Sequence, residues 1–209
     1  MSQPNIWDTR FAADEYVYGR NPNAFLAEHH LVFPKHARIL SLGEGEGRNA
    51  VFLARHGYDV TAMDASAEGM RKLSRLAAEG GVLVSQRLED VTQADLGRAR
   101  WDGIVSIFCH LASGDRRALY SRIREALKPG GIFLTEVFTP RQLGYQSGGP
   151  KDPDYLVERD ELVEAFAGAG SPASGFEIVL AEEEIVTLDE GPFHQGLGSV
   201  VRFIARRKD

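Results

Sequence analysis

The 209 residues contain a single cysteine, Cys109, which excludes an internal disulfide and any cysteine-rich zinc site. No apolar run approaches the length that a bilayer span requires, and the opening stretch MSQPNIWDTR holds no hydrophobic signal segment. Basic runs are also missing. The longest is the tail Arg206-Arg207-Lys208, and the formal net charge is −6, which argues against a nucleic-acid scaffold. No metal-ligand spacing such as H-E-x-x-H occurs, so no metal is expected. These absences lead to the expectation of a cytoplasmic protein with neither membrane nor nucleic acid as partner.

What is present is ordinary for a globular chain, with 43% hydrophobic and 26% charged residues. The length suits one domain, 1–209, with a full core. Its organising stretch is ARILSLGEGEGRNAVFLARHGYDVTAMD, residues 37–64. A short apolar run, Ile39 to Leu42, reads as a buried parallel strand. Gly43, Gly45 and Gly47 follow at two-residue spacing, then a helix through Val51, Phe52 and Leu53 that Gly57 stops. A second strand ends on Asp64. Strand, glycine turn, helix, strand and terminal carboxylate describe a nucleoside-binding unit. The glycine turn brings backbone N–H groups against a ligand. The helix N-terminus favours a carboxylate or phosphate there. Asp64 suits two vicinal ribose hydroxyls.

Spacing separates two ligands. A dinucleotide fingerprint, G-x-G-x-x-G, would demand glycine at position 48, which is arginine. The observed G-x-G-x-G resembles motif I of the class I S-adenosylmethionine (SAM) methyltransferases, in which an acidic residue stands where this chain has Ser41. Glu44, between the first two glycines, is a candidate substitute near the methionyl amine. The resemblance implies an α/β fold: a Rossmann-like sheet of seven strands with the last antiparallel and helices on both faces. It also implies SAM contacts at Arg48, Asn49 and Ala65 beside the glycine corner, and at Glu89, Asp90 and Val91 around the adenine.

The rest of the chain reads in order. Residues 1–36 form an aromatic-rich arm, with Asn23 capping a helix that Pro34 ends. As a lid, the arm would bring Tyr18 over the cofactor and pair Arg20 with its carboxylate; as a surface arm it would leave Arg20 solvated. Residues 37–138 form the cofactor core. Ser66 caps the next helix, a strand follows at 82–87, and the run 104–108 is a central strand that delivers Phe108, Cys109 and His110 to the ligand edge. Asp115 caps a further helix, and Leu127-Lys128-Pro129-Gly130-Gly131 turns into a strand at 132–138. Residues 139–209 select the substrate through a Gly/Pro-rich loop at 139–155, a helix from 158 to 166 ended by Gly168 and Gly170, and a closing hairpin. His194 near its turn is positioned to accept a proton or orient an anion, and Arg202 to pair with an oxyanion.

The arm motif YG-x-x-P-N, the run GEGRNAVFLARHGYDVTAMDAS and the segment Glu190-Gly191-x-x-His194 together resemble the small tellurite-resistance-type branch of these methyltransferases. That branch is credited with methylating tellurite, selenite and related small nucleophiles. The resemblance matches His194 and Arg202 to residues that hold the oxyanion, and His110, placed at the ligand edge, joins them as a catalytic candidate in a pocket shared with Phe108 and Tyr145. Two other readings stay open: a nicotinamide-dependent oxidoreductase, and a SAM-binding module without catalysis.

Overall fold

The structure, a computed structural model, describes residues 5–167 and 175–209. Its centre is a seven-stranded sheet. The strands are β1 Arg38–Leu42, β2 Asp59–Asp64, β3 Ser85–Leu88, β4 Trp101–Ile107, β5 Leu127–Phe138, β6 Phe176–Asp189 and β7 Gln195–Arg207, ordered β3-β2-β1-β4-β5-β7-β6. β7 runs antiparallel between β5 and β6; the other ladders are parallel. This is the expected sheet, closing hairpin included.

Continuous apolar runs mark the central strands because both faces are covered. Successive side chains point to opposite faces. Leu40, Ile104, Phe133 and Phe203 pack on one side with Tyr120, Ile123 and Phe166. Their neighbours Ile39, Val105, Leu134 and Ile204 pack on the other with Phe25, Leu53 and Leu73. The first group meets helices α5 (Ser113–Ala126) and α6 (Arg159–Ala167); the second meets α2 (Ala24–His29), α3 (Arg48–Arg55) and α4 (Ala67–Gly80). A short helix α1, Ile6–Phe11, lies against α4. β2 and β4 leave β1 in opposite directions, which opens a crevice at the carboxyl ends of the strands. No helix among the described residues is long and apolar enough to cross a membrane.

The caps at Asn23 and Ser66 stand as expected: their side chains accept from the N–H groups of Leu26 and Gly69. Asp115 does not cap α5. The helix starts two residues earlier, at Ser113, whose N–H donates to Asp154 from the 139–155 segment. That segment is tied down rather than open. Two 3₁₀ turns, Pro140–Gly144 and Pro153–Tyr155, punctuate it. The buried Gln142 side chain donates to Ser147 and Gly148 and accepts from the Ser199 N–H at 2.8 Å. β3 begins later than expected and β5 earlier, because Leu127 already pairs with Trp101 before a register shift. Gly168 and Gly170 lie outside the described residues.

Gly47 sits at the entry to α3 with φ +98°, and a Cβ there would fall 2.7–2.8 Å from Leu73 atoms. Gly57 has a similar φ of +84° but open space around it. Gly47→Ala should therefore cost about 2–4 kcal/mol, combining left-handed strain with overpacking. Gly57→Ala should cost about 1 kcal/mol from strain alone. Thermal melting should show a Tm loss of roughly 5–15 °C for the first and roughly 2–4 °C for the second. Equal losses would mean that the approach of α3 to α4 is not the constraint at Gly47.

Candidate functional site

A cavity of about 750 Å³ opens at the carboxyl ends of β1, β2 and β4. Its floor is the glycine corner. Gly43 and Gly45 hold φ of +60° and +63°, and a Cβ on Gly43 would lie 2.5 Å from the Cys109 sulfur. Between them Glu44 turns inward, only 7% exposed. Its Oε1 accepts from the N–H groups of Asn49 (3.0 Å) and Ala50 (2.9 Å), the first turn of α3, while Oε2 accepts from the Ser41 hydroxyl. The anion expected at this helix N-terminus is thus the chain's own side chain. Burial pushes the Glu44 carboxyl up to about 7, against the pull of Ser41, the Ala50 and Asn49 N–H groups and Arg48.

At the end of β2, Asp64 is buried. Its Oδ2 accepts from the Gly45 N–H and its Oδ1 from the Ser66 N–H, both at 2.8 Å. A carboxylate offers about four lone-pair sites, so two remain for a vicinal diol. Burial raises its pKa, despite those N–H groups. Beyond lie Asp90, whose Oδ1 accepts from the N–H and hydroxyl of Thr92, and the buried Val91. Depth, curvature, diol acceptor and a carboxyl beside the corner fit a nucleoside with a cationic tail. Glu44 lying across the helix N-terminus does not fit a pyrophosphate.

The far wall is aromatic. Phe108, at the end of β4, adopts φ +50°, a strained conformation for a non-glycine residue. Its ring lies 4.7 Å from that of His194 and 6.2 Å from that of His110. His110 Nδ1 stands 3.1 Å from the Tyr155 carbonyl oxygen, while its Nε2 is buried without a partner among the described residues. Burial lowers the His110 pKa to about 4. His194 Nδ1 stands 3.3 Å from Glu190 Oε2. Burial lowers the His194 pKa, outweighing the opposing pull of Glu190. Glu190 would be raised by its own burial, but the His194 ring and Arg48 bring it down to about 2.

Of the residues expected at the site, Tyr18, Gly43, Glu44, Gly45, Arg48, Asn49, Asp64, Ala65, Asp90, Val91, Phe108, His110 and His194 border this cavity. Five do not, each for a physical reason. Gly47 is turned toward Leu73 and serves the packing of α3 on α4. Glu89 faces outward, held by Arg87 at 2.7 Å, and does not touch the cavity. Arg20 is half-exposed, paired with Glu79 and stacked over Tyr16, and does not line the cavity. Arg202 is taken by Glu136 and Glu184, each at 2.6 Å, and lies over the Phe25 ring. Tyr145 is absent from the wall; Tyr155 is there instead.

Sequence reasoning missed Glu190 as a buried partner of His194, and Trp7, Arg10 and Phe11 as wall residues from the arm. The Glu190-Gly191-x-x-His194 spacing was itself the available signal for the first. The arm residues carried no spacing signal. Arg10 Nη1 donates to the Tyr18 hydroxyl at 2.9 Å, and its guanidinium lies over the rings of Trp7 and Phe193.

Residues 39–131 match the family described as "Methyltransferase domain". A putative methyltransferase of Geobacillus is 33% identical over 52% of this chain and 45% of its own length. A ubiquinone biosynthesis O-methyltransferase of Chelativorans is 30% identical over 73% of this chain and 63% of its own. The probable SAM-dependent methyltransferase TehB of Haemophilus influenzae is 29% identical over 46% of this chain and 34% of its own. The TehB crystal structure superposes with a TM-score of 0.72 at 19% identity, covering 97% of this chain and 66% of that one. The chain therefore spans about a third to just under two thirds of these curated relatives.

With its folded value near 7 and an ordinary value of 4.5, Glu44 retains a proton that the unfolded chain gives up between those pH values. The folded state is then favoured at the acid end of that window, and the advantage disappears as pH rises through it. Its size is on the order of 3 kcal/mol. Melting of the ligand-free protein between about pH 5 and pH 7.5 should show wild type losing roughly 5–10 °C relative to Glu44→Gln. Parallel melting curves would show that Glu44 is ionised throughout.

Proposed function

We propose that this chain is a class I SAM-dependent methyltransferase of the TehB-like branch, a reading supported by its match to a methyltransferase domain and its likeness to TehB, and that it transfers the methyl group of SAM to a small-molecule nucleophile. The observation that carries the reading is the acid-lined corner. Asp64 keeps two acceptor positions for a ribose, and Glu44 stands beside Gly43 and Gly45 to face a cationic amino-acid tail. Asp90 and the Val91 N–H take the adenine edge. SAM supplies a methyl group on a sulfonium already primed to leave. The chain's share is alignment, which can contribute on the order of 7–11 kcal/mol.

The remaining parts have roles in this reading. The arm, residues 1–36, is the lid, with Trp7, Phe11 and Tyr18 over the cofactor. Residues 139–209 supply the acceptor side through Gly149, Pro150, Tyr155 and His194. We take the acceptor from the chalcogen oxyanions and thiols that the branch suggests, and we place the reaction in the cytoplasm. With Arg202 engaged by two carboxylates, the oxyanion has lost the partner first assigned to it. A nicotinamide reading is disfavoured by the same corner, because a pyrophosphate would meet the Glu44 carboxyl where it needs free N–H groups.

Calorimetry should detect SAM binding and no NADH binding. Asp64→Ala should weaken SAM affinity at least about a hundredfold, since two hydrogen bonds to a charged acceptor are lost. Asp64→Asn, which keeps one acceptor oxygen, should fall between. Unchanged affinity in a folded Asp64→Ala would place the ribose elsewhere.

A further inference from the structure

The two cavity histidines share an electronic arrangement that bears on the acceptor. His110 Nδ1 faces a carbonyl oxygen, and His194 Nδ1 faces a carboxylate. Both partners are acceptors only, so in each neutral ring Nδ1 carries the proton and Nε2 holds a lone pair. Nε2 of His110 is buried with no partner, and Nε2 of His194 makes no hydrogen bond among the described residues. The rings flank Phe108 and Phe138, with centroids 5.4 Å and 5.3 Å from that of Phe138. The wall beside the methyl-transfer site thus offers two acceptors set in apolar surface.

An oxyanion fits such a wall poorly. Of the five acids that border the cavity, Glu44 keeps its proton up to about pH 7 and Glu46 is paired with Lys72, which leaves Asp64, Asp90 and Asp115 against three cations. Of these, Arg48 donates to Glu190 and the Tyr18 carbonyl, Arg10 donates to the Tyr18 hydroxyl, and Lys151 is exposed. An anion would meet lone pairs on the histidines, and the buried cation beside them, Arg48, is already paired with Glu190. A molecule that brings its own S–H or O–H meets two unfilled acceptors.

We propose that the methyl acceptor is a neutral protic small molecule, a thiol or hydroxyl compound with an apolar body, and that His194 Nε2 is the base that takes its proton. This rests on the methyl-transfer reading above. The acceptor's S–H or O–H bond breaks toward Nε2, and its freed pair forms the bond to the methyl carbon. The carbon–sulfur bond of the sulfonium breaks with its pair staying on sulfur, and the imidazolium later releases the proton to water. Glu190 is a positioning residue: it fixes the Nδ1–H tautomer and supports the charged ring, as an acid does for histidine bases elsewhere. The groups facing His194 are Glu190 on its own turn, Arg48 from α3, Arg10 and Tyr18 from the arm, and His110 beyond β4.

The test uses the full chain with SAM and five acceptors. Benzyl mercaptan and catechol are protonated at neutral pH, 4-nitrothiophenol is ionised, and selenite and tellurite are oxyanions. The protic pair should be methylated. His194→Gln should lower kcat/KM for benzyl mercaptan by about 10²–10⁴-fold, with a loss at least tenfold smaller for 4-nitrothiophenol. Nitrogen-15 NMR of the histidine rings, with His194 assigned by its absence in His194→Gln, should show the Nδ1–H tautomer in the ligand-free protein, titrating below 6.5. Should His194→Gln fail to fold or to bind SAM, the wild-type pH profile decides: an acid limb below pH 6.5 for benzyl mercaptan but not for 4-nitrothiophenol is expected. Methylation of selenite or tellurite alone, equal losses for the two thiols, identical pH profiles or an Nε2–H tautomer would each overturn the proposal while leaving methyl transfer intact. No product from any acceptor despite SAM binding would overturn the methyl-transfer reading as well.

Discussion

One buried polar network holds the site together. The Asn23 side chain donates to Glu136 at 2.6 Å and to Glu190 at 2.9 Å, and its backbone N–H donates to the Asn49 side chain. Glu190 also accepts from Arg48 at 3.0 Å, and Glu136 accepts from Arg202. These six residues come from the arm, the first helix after the glycine corner, a central strand and both parts of the terminal hairpin. No two of those elements are adjacent in sequence except the last pair. Buried ion pairs contribute little net stability when intact, yet removing one partner strands a charge at a cost of about 3–5 kcal/mol. The network therefore acts chiefly on geometry, fixing where the arm and hairpin stand relative to the corner.

A second buried pair anchors the arm further back. Lys72 of α4, fully buried, donates to Glu46 at 2.5 Å and to the Glu15 carbonyl, while the other Glu46 oxygen accepts from the Val17 N–H. Between the two anchors, backbone meets backbone. Gly19 and Gly191 approach so closely that a Cβ on Gly191 would collide with the Gly19 nitrogen. The arm motif and the hairpin motif are halves of one contact. This explains why Tyr18 ends 4.7 Å from His194 although 176 positions separate them in the chain.

Much of this was legible beforehand, where local chemistry decides the outcome. The β1–α3–β2 unit and the caps at Asn23 and Ser66 follow from periodicity, capping residues and turn composition, and the antiparallel β7 from the family resemblance. The residues that stand away from the cavity share a cause. Arg20, Arg202 and Glu89 each find an opposite charge within the protein, and a side chain's partner across the fold has no trace in local spacing. Asp115 was misread as a cap because its replacement, Asp154, comes from a segment forty residues on. Gly47 was assigned to the ligand because its spacing matches the motif, while its structural demand comes from Leu73 on a helix still to come.

Glu44 and Glu190 show how the chain departs from a simple anion site. Each places a carboxylate where the sequence suggested a positive end waiting for a ligand: Glu44 on the N–H groups of α3, Glu190 on the Arg48 guanidinium. In a low-dielectric cavity such internal neutralisation matters more than formal counts, because an unpaired cation there would attract anions strongly. With both positive ends answered from within, what remains uncompensated is acceptor capacity: the Asp64 lone pairs and the two Nε2 atoms. A cavity with that balance favours molecules bearing positive charge or acidic protons. On the proposed reading a sulfonium nucleoside supplies the first and a protic nucleophile the second, so one electrostatic arrangement serves both halves of the proposed transfer.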